Sequence, residues 1–223
     1  MNEVTTMLML SLSLMLAATA AFLLLRKRAG NTKAERISQF VFPPSIANKL
    51  KDAYPHLTDA QTATVMNGLR EYFHISAIAE RHMVSMPSKV VDVAWHEFIL
   101  FTRLYHHFCR TTLGRYLHHT PSEAMRTPTQ AQHGIKRAWR LSCKREGIDP
   151  KSPARLPLLF AMDAMLAIPD GYRYALNCQS GADYCASHIG CGSGCGGSSS
   201  ADGCSSGSDG CGDGGGGCGG GGD

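Results

Sequence analysis

Residues 89–114 read KVVDVAWHEFILFTRLYHHFCRTTLG, and this stretch decides the fold class. Val90, Val91, Ala94, Trp95, Phe98, Ile99, Phe101, Thr102 and Tyr105 recur at helical spacing and cover more than half of a helix circumference. A helix apolar over so much of its surface belongs at the centre of a bundle. Pro87-Ser88 opens the segment, and Gly114 fits a C-cap.

The flanking segments carry the same period. Pro43-Pro44-Ser45 opens a short helix over 46–53, which Tyr54-Pro55 closes. Thr58 as N-cap and Gln61 three residues later form a capping box. The amphipathic helix that follows runs to about Arg81, with Ala63, Val65, Met66, Leu69, Tyr72, Phe73 and Ile75 on its apolar face. Pro121 and Pro128 bracket a connection. A helix over 129–146 then places Ile135, Ala138, Trp139 and Leu141 on one side, and a last apolar helix over about 154–167 stops at Pro169-Asp170-Gly171. Nothing alternates with period two, so no sheet is expected. The predicted fold is all-α: an N-terminal transmembrane helix, an irregular bundle of four to five helices, and a disordered Gly/Cys-rich C-terminal tail.

The transmembrane helix is read from residues 7–25, MLMLSLSLMLAATAAFLLL, which carry no charge. At about 1.5 Å per residue they span roughly 28 Å, the thickness of a bilayer's hydrocarbon core. A cleaved signal peptide would need a basic n-region, whereas MNEVTT has Glu3 and no Lys or Arg. Arg26, Lys27, Arg28, Lys33 and Arg36 all follow the apolar run. The positive-inside bias therefore predicts an N-terminus outside, with the helical domain and tail cytoplasmic. The same cations can meet anionic lipid headgroups.

Composition marks the other boundaries. The expected organisation is a short N-terminal segment (1–6), the anchor (7–25), a basic juxtamembrane linker (26–42), the helical domain (43–177) and the tail (178–223). The tail holds 18 of the 24 Gly and 7 of the 9 Cys and no Lys or Arg, too little apolar surface to offset chain entropy. All 22 Lys and Arg lie between Arg26 and Arg173, where only 12 Asp and Glu oppose them, leaving +10. A basic domain beside a membrane suits anionic lipid or nucleic acid. A solvated basic face that follows the positive-inside bias explains the charge more simply, so nucleic acid is not expected.

Chemistry concentrates in one window. Five of the ten histidines, His96, His106, His107, His118 and His119, fall within 24 residues; Cys109 lies among them and Asp92 one helical turn before His96. Asp92 and His96 stand at i and i+4, on one helix face. His107 returns to that azimuth three turns on, about 16 Å away, too far to share an ion with His96. A compact site needs His118 or His119, folding back after Gly114, to join Asp92 and His96. Cys109 joins only if the helix breaks early. Imidazole, carboxylate and thiolate are zinc donors. Asp92 serves either as a ligand or as an acceptor for the far ring nitrogen of His96, and Glu97 becomes a candidate general base. Position 100 is Leu100, so the metalloprotease helix motif is absent. The plainer alternative makes Asp92 and His96 a buried polar pair, Trp95 and Tyr105 core aromatics, Cys109 a small hydrophobe, and His106-His107 exposed and idle.

VDVAWHEFILFTRLYHHFC, followed by GRYLHHTP, resembles the glycine-rich domain-containing protein family, bacterial members first and plant ones more remotely. The likeness rests on Asp92, Trp95, His96, Tyr105, Cys109, Gly114, and His119 with Pro121, and the Gly-rich tail agrees in style. Plant members often carry a second His two residues after the first, where this chain has Phe98. The resemblance implies that these residues act together, without naming a reaction. Among the tail cysteines, Cys185, Cys191 and Cys195 with His188 come nearest to a ligand set, yet their spacing matches no zinc module. The leading expectation is a membrane-tethered binding or scaffold domain with a His/Asp/Cys metal site. The alternatives are a zinc-dependent hydrolase using His96 and His119, and a basic membrane-surface or nucleic-acid binder.

Overall fold

The computed structural model describes residues 3–120, 128–176, 184, 185 and 189. Among the described residues, seven α-helices carry the fold: α1 (Glu3–Gln39), α2 (Pro44–Ala53), α3 (Asp59–Ile78), α4 (Lys89–Leu100), α5 (Thr102–Phe108), α6 (Pro128–Glu146) and α7 (Leu158–Met165). A single π-helical turn, Cys109–Leu113, extends α5. The all-α expectation holds.

α1 is one continuous helix. Its stretch Met9–Gln39 is long and apolar enough to cross a membrane by length and composition, and its apolar window is wholly unburied. The segment 26–42, expected as a linker, continues the helix to Gln39 and then enters the core. Ile37 and Phe42 are buried, the Arg70 guanidinium donates to the Ile37 carbonyl, and Arg36 donates to the Thr111 carbonyl at 2.8 Å. Phe40 and Phe42 then join Phe73, Phe98 and Phe108 in one aromatic cluster with ring centroids 4.5–6.5 Å apart.

α3 is the hub, touching α1, α2, α4, α6 and α7. Its N-terminus is the expected capping box: Thr58 Oγ1 accepts from the Gln61 amide, and the Thr58 amide donates to Gln61 Oε1. Gly68 permits the close crossing with α4 and α7, because a Cβ there would stand 2.7 Å from Met162 Cε and 3.0 Å from Val91 Cγ2. The helix stops at Ile78, three residues short of the expected end.

The stretch 89–114 departs from a single helix. α4 starts on Ser88, whose hydroxyl accepts from the Val91 amide, and ends at Phe101 with φ −77° and ψ 58°. A straight helix apolar over more than half its surface cannot turn all of it inward. The break re-aims α5, so that Phe98, Tyr105 and Phe108 are all buried while Leu100 is exposed. Gly114, at φ 73°, ends the π turn as expected.

Asp163 of α7 fixes the start of α4. Only 2 % exposed, its carboxylate accepts from Ser88 Oγ at 2.7 Å and from the Lys89, Val90 and Tyr172 amides at 2.7, 3.3 and 2.9 Å. A carboxylate at a helix N-terminus also meets the positive end of the helix dipole. α6 buries Ala138, Trp139 and Cys143. α7 is shorter than expected: Pro157 is its N-cap at φ −60° and ψ 152°, so 154–157 stay outside the helix.

Two corrections concern the C-terminal part. Tyr174–Ala175 and Tyr184–Cys185 pair as two short parallel strands, although no strand was expected. Ile189 is buried, so packing continues beyond residue 177. The compact unit that contains the helices runs Met1–Gly192, and Ser193–Asp223 forms a separate unit. The connection 121–127 with Pro121, and the tail cysteines other than Cys185, lie outside the described residues.

Candidate metal centre

Two segments build the site. Asp92 and His96 come from one face of α4, a turn apart. After α5, the π turn and the left-handed Gly114, the chain runs back non-helically through 115–120 towards α4. In this return segment Leu117 turns inward and is buried. Alternation along an extended chain puts His119 on the same side as Leu117, and Tyr116 and His118 on the other. The structure follows that parity: His119 is half-buried, while Tyr116 and His118 are exposed and pack ring to ring at 4.7 Å.

His119 Nε2 lies 3.0 Å from Asp92 Oδ1 and 2.9 Å from His96 Nε2, and His96 Nε2 lies 3.8 Å from Asp92 Oδ2. All three donor atoms fall within 4.8 Å of one another, the spread of a shared metal ion. For zinc at 2.0–2.1 Å, tetrahedral geometry separates adjacent ligand atoms by about 3.3 Å. The His96–His119 and His119–Asp92 Oδ1 separations, 2.9 and 3.0 Å, fall a few tenths of an ångström short of that value. The His119 ring stands edge-on to Trp95 at 4.6 Å and to His96 at 4.2 Å.

Side-chain exposure grades across the centre, from 14 % at His119 through 27 % at Asp92 to 52 % at His96. Asp92 and His96 are therefore not the buried pair of the plainer reading. Three donor side chains on one side and solvent on the other would leave an ion held here with an accessible coordination position, as in zinc sites that take an exogenous ligand.

The remaining candidates stand apart from this trio. His118 points away with Tyr116. Although the helix does break, Cys109 enters the core rather than the centre: it is fully buried, and burial pushes its thiol up. Glu97 leaves α4 about 100° round from His96, so its carboxylate departs on a different side of the helix. His106 and His107 are exposed.

Sequence reasoning passed over two supports of the site. One is Asp163, which anchors the turn of α4 that carries Asp92. The other is a buried polar chain in which Trp95 Nε1 donates to Tyr105 Oη at 3.2 Å, and Tyr105 Oη donates to the Leu117 carbonyl. A signal existed for the second, because buried Trp and Tyr need polar partners. The sequence could not say which.

No curated protein and no solved structure matches the chain. The model of the UCP032817-like family matches residues 32–194, a span that begins within the core-entering end of α1 and finishes beside the unit boundary at Gly192. It takes in Asp92, His96 and His119 together with the helices that hold them, and the chain belongs to the UCP032817-like family.

Proposed function

We propose that this protein is a single-pass membrane protein whose helical domain binds zinc through Asp92, His96 and His119 and acts as a binding or scaffold module, not as an enzyme. The observation that carries the reading is the convergence of three zinc-type donor atoms from two separate segments to within 4.8 Å of one another. Two imidazoles with one carboxylate favour zinc over magnesium or calcium, which prefer all-oxygen shells. The accessible position is where a partner's side chain or a small anion completes the shell. The resemblance to glycine-rich domain-containing proteins, carried by Asp92, His96 and His119 among others, agrees with a role shared by these residues. A hydrolytic alternative lacks a base at the centre, because Glu97 emerges from a different side of α4. The anchor is residues 7–25, with Arg26, Lys27 and Arg28 on the cytoplasmic side and near anionic headgroups.

The test is elemental analysis of the purified full-length chain in detergent, beside His96→Ala and His119→Ala. About one zinc per chain, lost in both variants, is the expected result. Wild-type protein that retains no metal after equilibration with micromolar zinc overturns the reading.

A further inference from the structure

We infer that Tyr105 is a positioning residue for the metal centre: its hydroxyl, seated on the Trp95 indole, holds the backbone at Leu117 and so sets where His119 meets Asp92 and His96. The inference rests on the metal reading above and adds what makes the centre preorganised. His119 comes from a non-helical stretch. Among the described residues, the hydrogen bond from the Tyr105 hydroxyl to the Leu117 carbonyl ties the backbone of 116–120 to the rest of the fold. Leu117 is two residues from His119, and the same Trp95 that donates to Tyr105 packs against the His119 ring. One indole therefore touches the ligand on its ring face and orients the backbone clamp through its N–H.

The clamp is fully internal. Trp95 and Tyr105 are 3 % and 1 % exposed, so water does not compete for either bond. Burial also pushes the Tyr105 phenol upward, which keeps the hydroxyl protonated and donating. Cys109, considered from sequence as a ligand, is buried in the core. Groups that hydrogen-bond a metal's ligands alter its affinity by about 10–100-fold when removed; Tyr105 acts one link further out, through the Leu117 carbonyl, so the low end of that range is expected.

Tyr105→Phe keeps the ring packed against Phe98 and Tyr116, at 5.3 and 5.6 Å, and deletes only the hydroxyl. Phe160→Leu serves as the control. It perturbs the core against Trp139 and Tyr174, on the α6–α7 side, with no contact to Leu117. Both variants are compared with wild type as full-length chains in detergent, by zinc titration against a chromogenic chelator and by thermal unfolding without metal. Zinc affinity is expected to fall at least tenfold in Tyr105→Phe and to stay within twofold of wild type in Phe160→Leu, even where Phe160→Leu melts lower. Tyr105→Phe binding zinc within twofold of wild type overturns the inference while leaving the metal reading standing. Equal losses in both variants reduce Tyr105 to general stability and also overturn it. A wild-type chain that binds no zinc overturns both readings at once.

Discussion

Replacing Asp163 by Asn changes one atom and should unfold much of what holds α4 in place. The carboxylate divides its work between two oxygens: Oδ1 accepts from Ser88 Oγ and the Val90 amide, and Oδ2 accepts from the Lys89 and Tyr172 amides. An amide keeps one acceptor. If its oxygen takes the Oδ1 place, its NH2 faces two backbone N–H groups that have no alternative in a residue 2 % exposed. Hydrogen bonds to a charged acceptor contribute about 1.5–3 kcal/mol each, and the lost charge at the α4 N-terminus adds about 0.3–1 kcal/mol. The expected destabilisation is about 4 kcal/mol, a large share of the ~5–15 kcal/mol that holds a domain folded. The assay is urea unfolding of the full-length chain in detergent, followed by the fluorescence of Trp95 and Trp139. With a slope near 2 kcal/mol per molar, the midpoint drops by about 2 M. A drop below about 0.25 M would show that the four bonds do not hold α4 as described.

Three further outcomes follow from local geometry. His74 is buried beside Ser38, and burial first, then Arg145 and Arg70 against the opposing Glu71, lowers its pKa to about 4. The unfolded chain takes up this proton near pH 6.5 while the native state refuses it until about pH 4. Stability is therefore lost as pH falls through that window, by at most about 3 kcal/mol, and His74→Gln should flatten the dependence of the urea midpoint between pH 7 and 4.5; an unchanged slope contradicts this. In Gly134→Ala the new Cβ would stand 2.0 Å from Ser85 Oγ and 3.0 Å from the Ser85 backbone nitrogen, so despite a helix-propensity gain the variant should lose about 1–3 kcal/mol by calorimetry. Thr58→Ala removes the capping box of α3 and should cost about 1 kcal/mol, a fall of roughly 2–4 °C in Tm.

What the sequence disclosed was whatever depends on neighbours along the chain. The Thr58–Gln61 box, Gly114 as a left-handed cap and the Asp92–His96 pairing are all encoded within four residues, and all appear in the structure. The break at Phe101 has no Gly or Pro to announce it, because it arises from competition among Phe98, Tyr105 and Phe108 for one core. Asp163 is invisible for the same reason: its four donors lie 9–75 residues away, and a lone Asp in an apolar helix does not say whose amides it will meet. The choice between His118 and His119 was closer to being legible. Leu117 is the aliphatic residue of the return segment, and once it faces inward, parity along an extended chain selects His119. The strand pair at Tyr174–Ala175 and Tyr184–Cys185 is too short for any periodicity to register.

α1 carries a mechanical consequence. It runs 37 residues without a proline, about 55 Å of unbroken helix, and its last turns are seated among Phe42, Arg70, His74 and Thr111. Such a rod works as a crank. A 10° tilt of the end remote from the core sweeps an arc of roughly 10 Å, and an axial twist arrives at Ile37 and Arg36 as a rotation. Arg36 delivers that rotation to the Thr111 carbonyl in the π turn, four residues before the return segment 115–120. A rotation applied at the apolar end thus reaches Thr111 directly and meets His119 only across the left-handed hinge at Gly114.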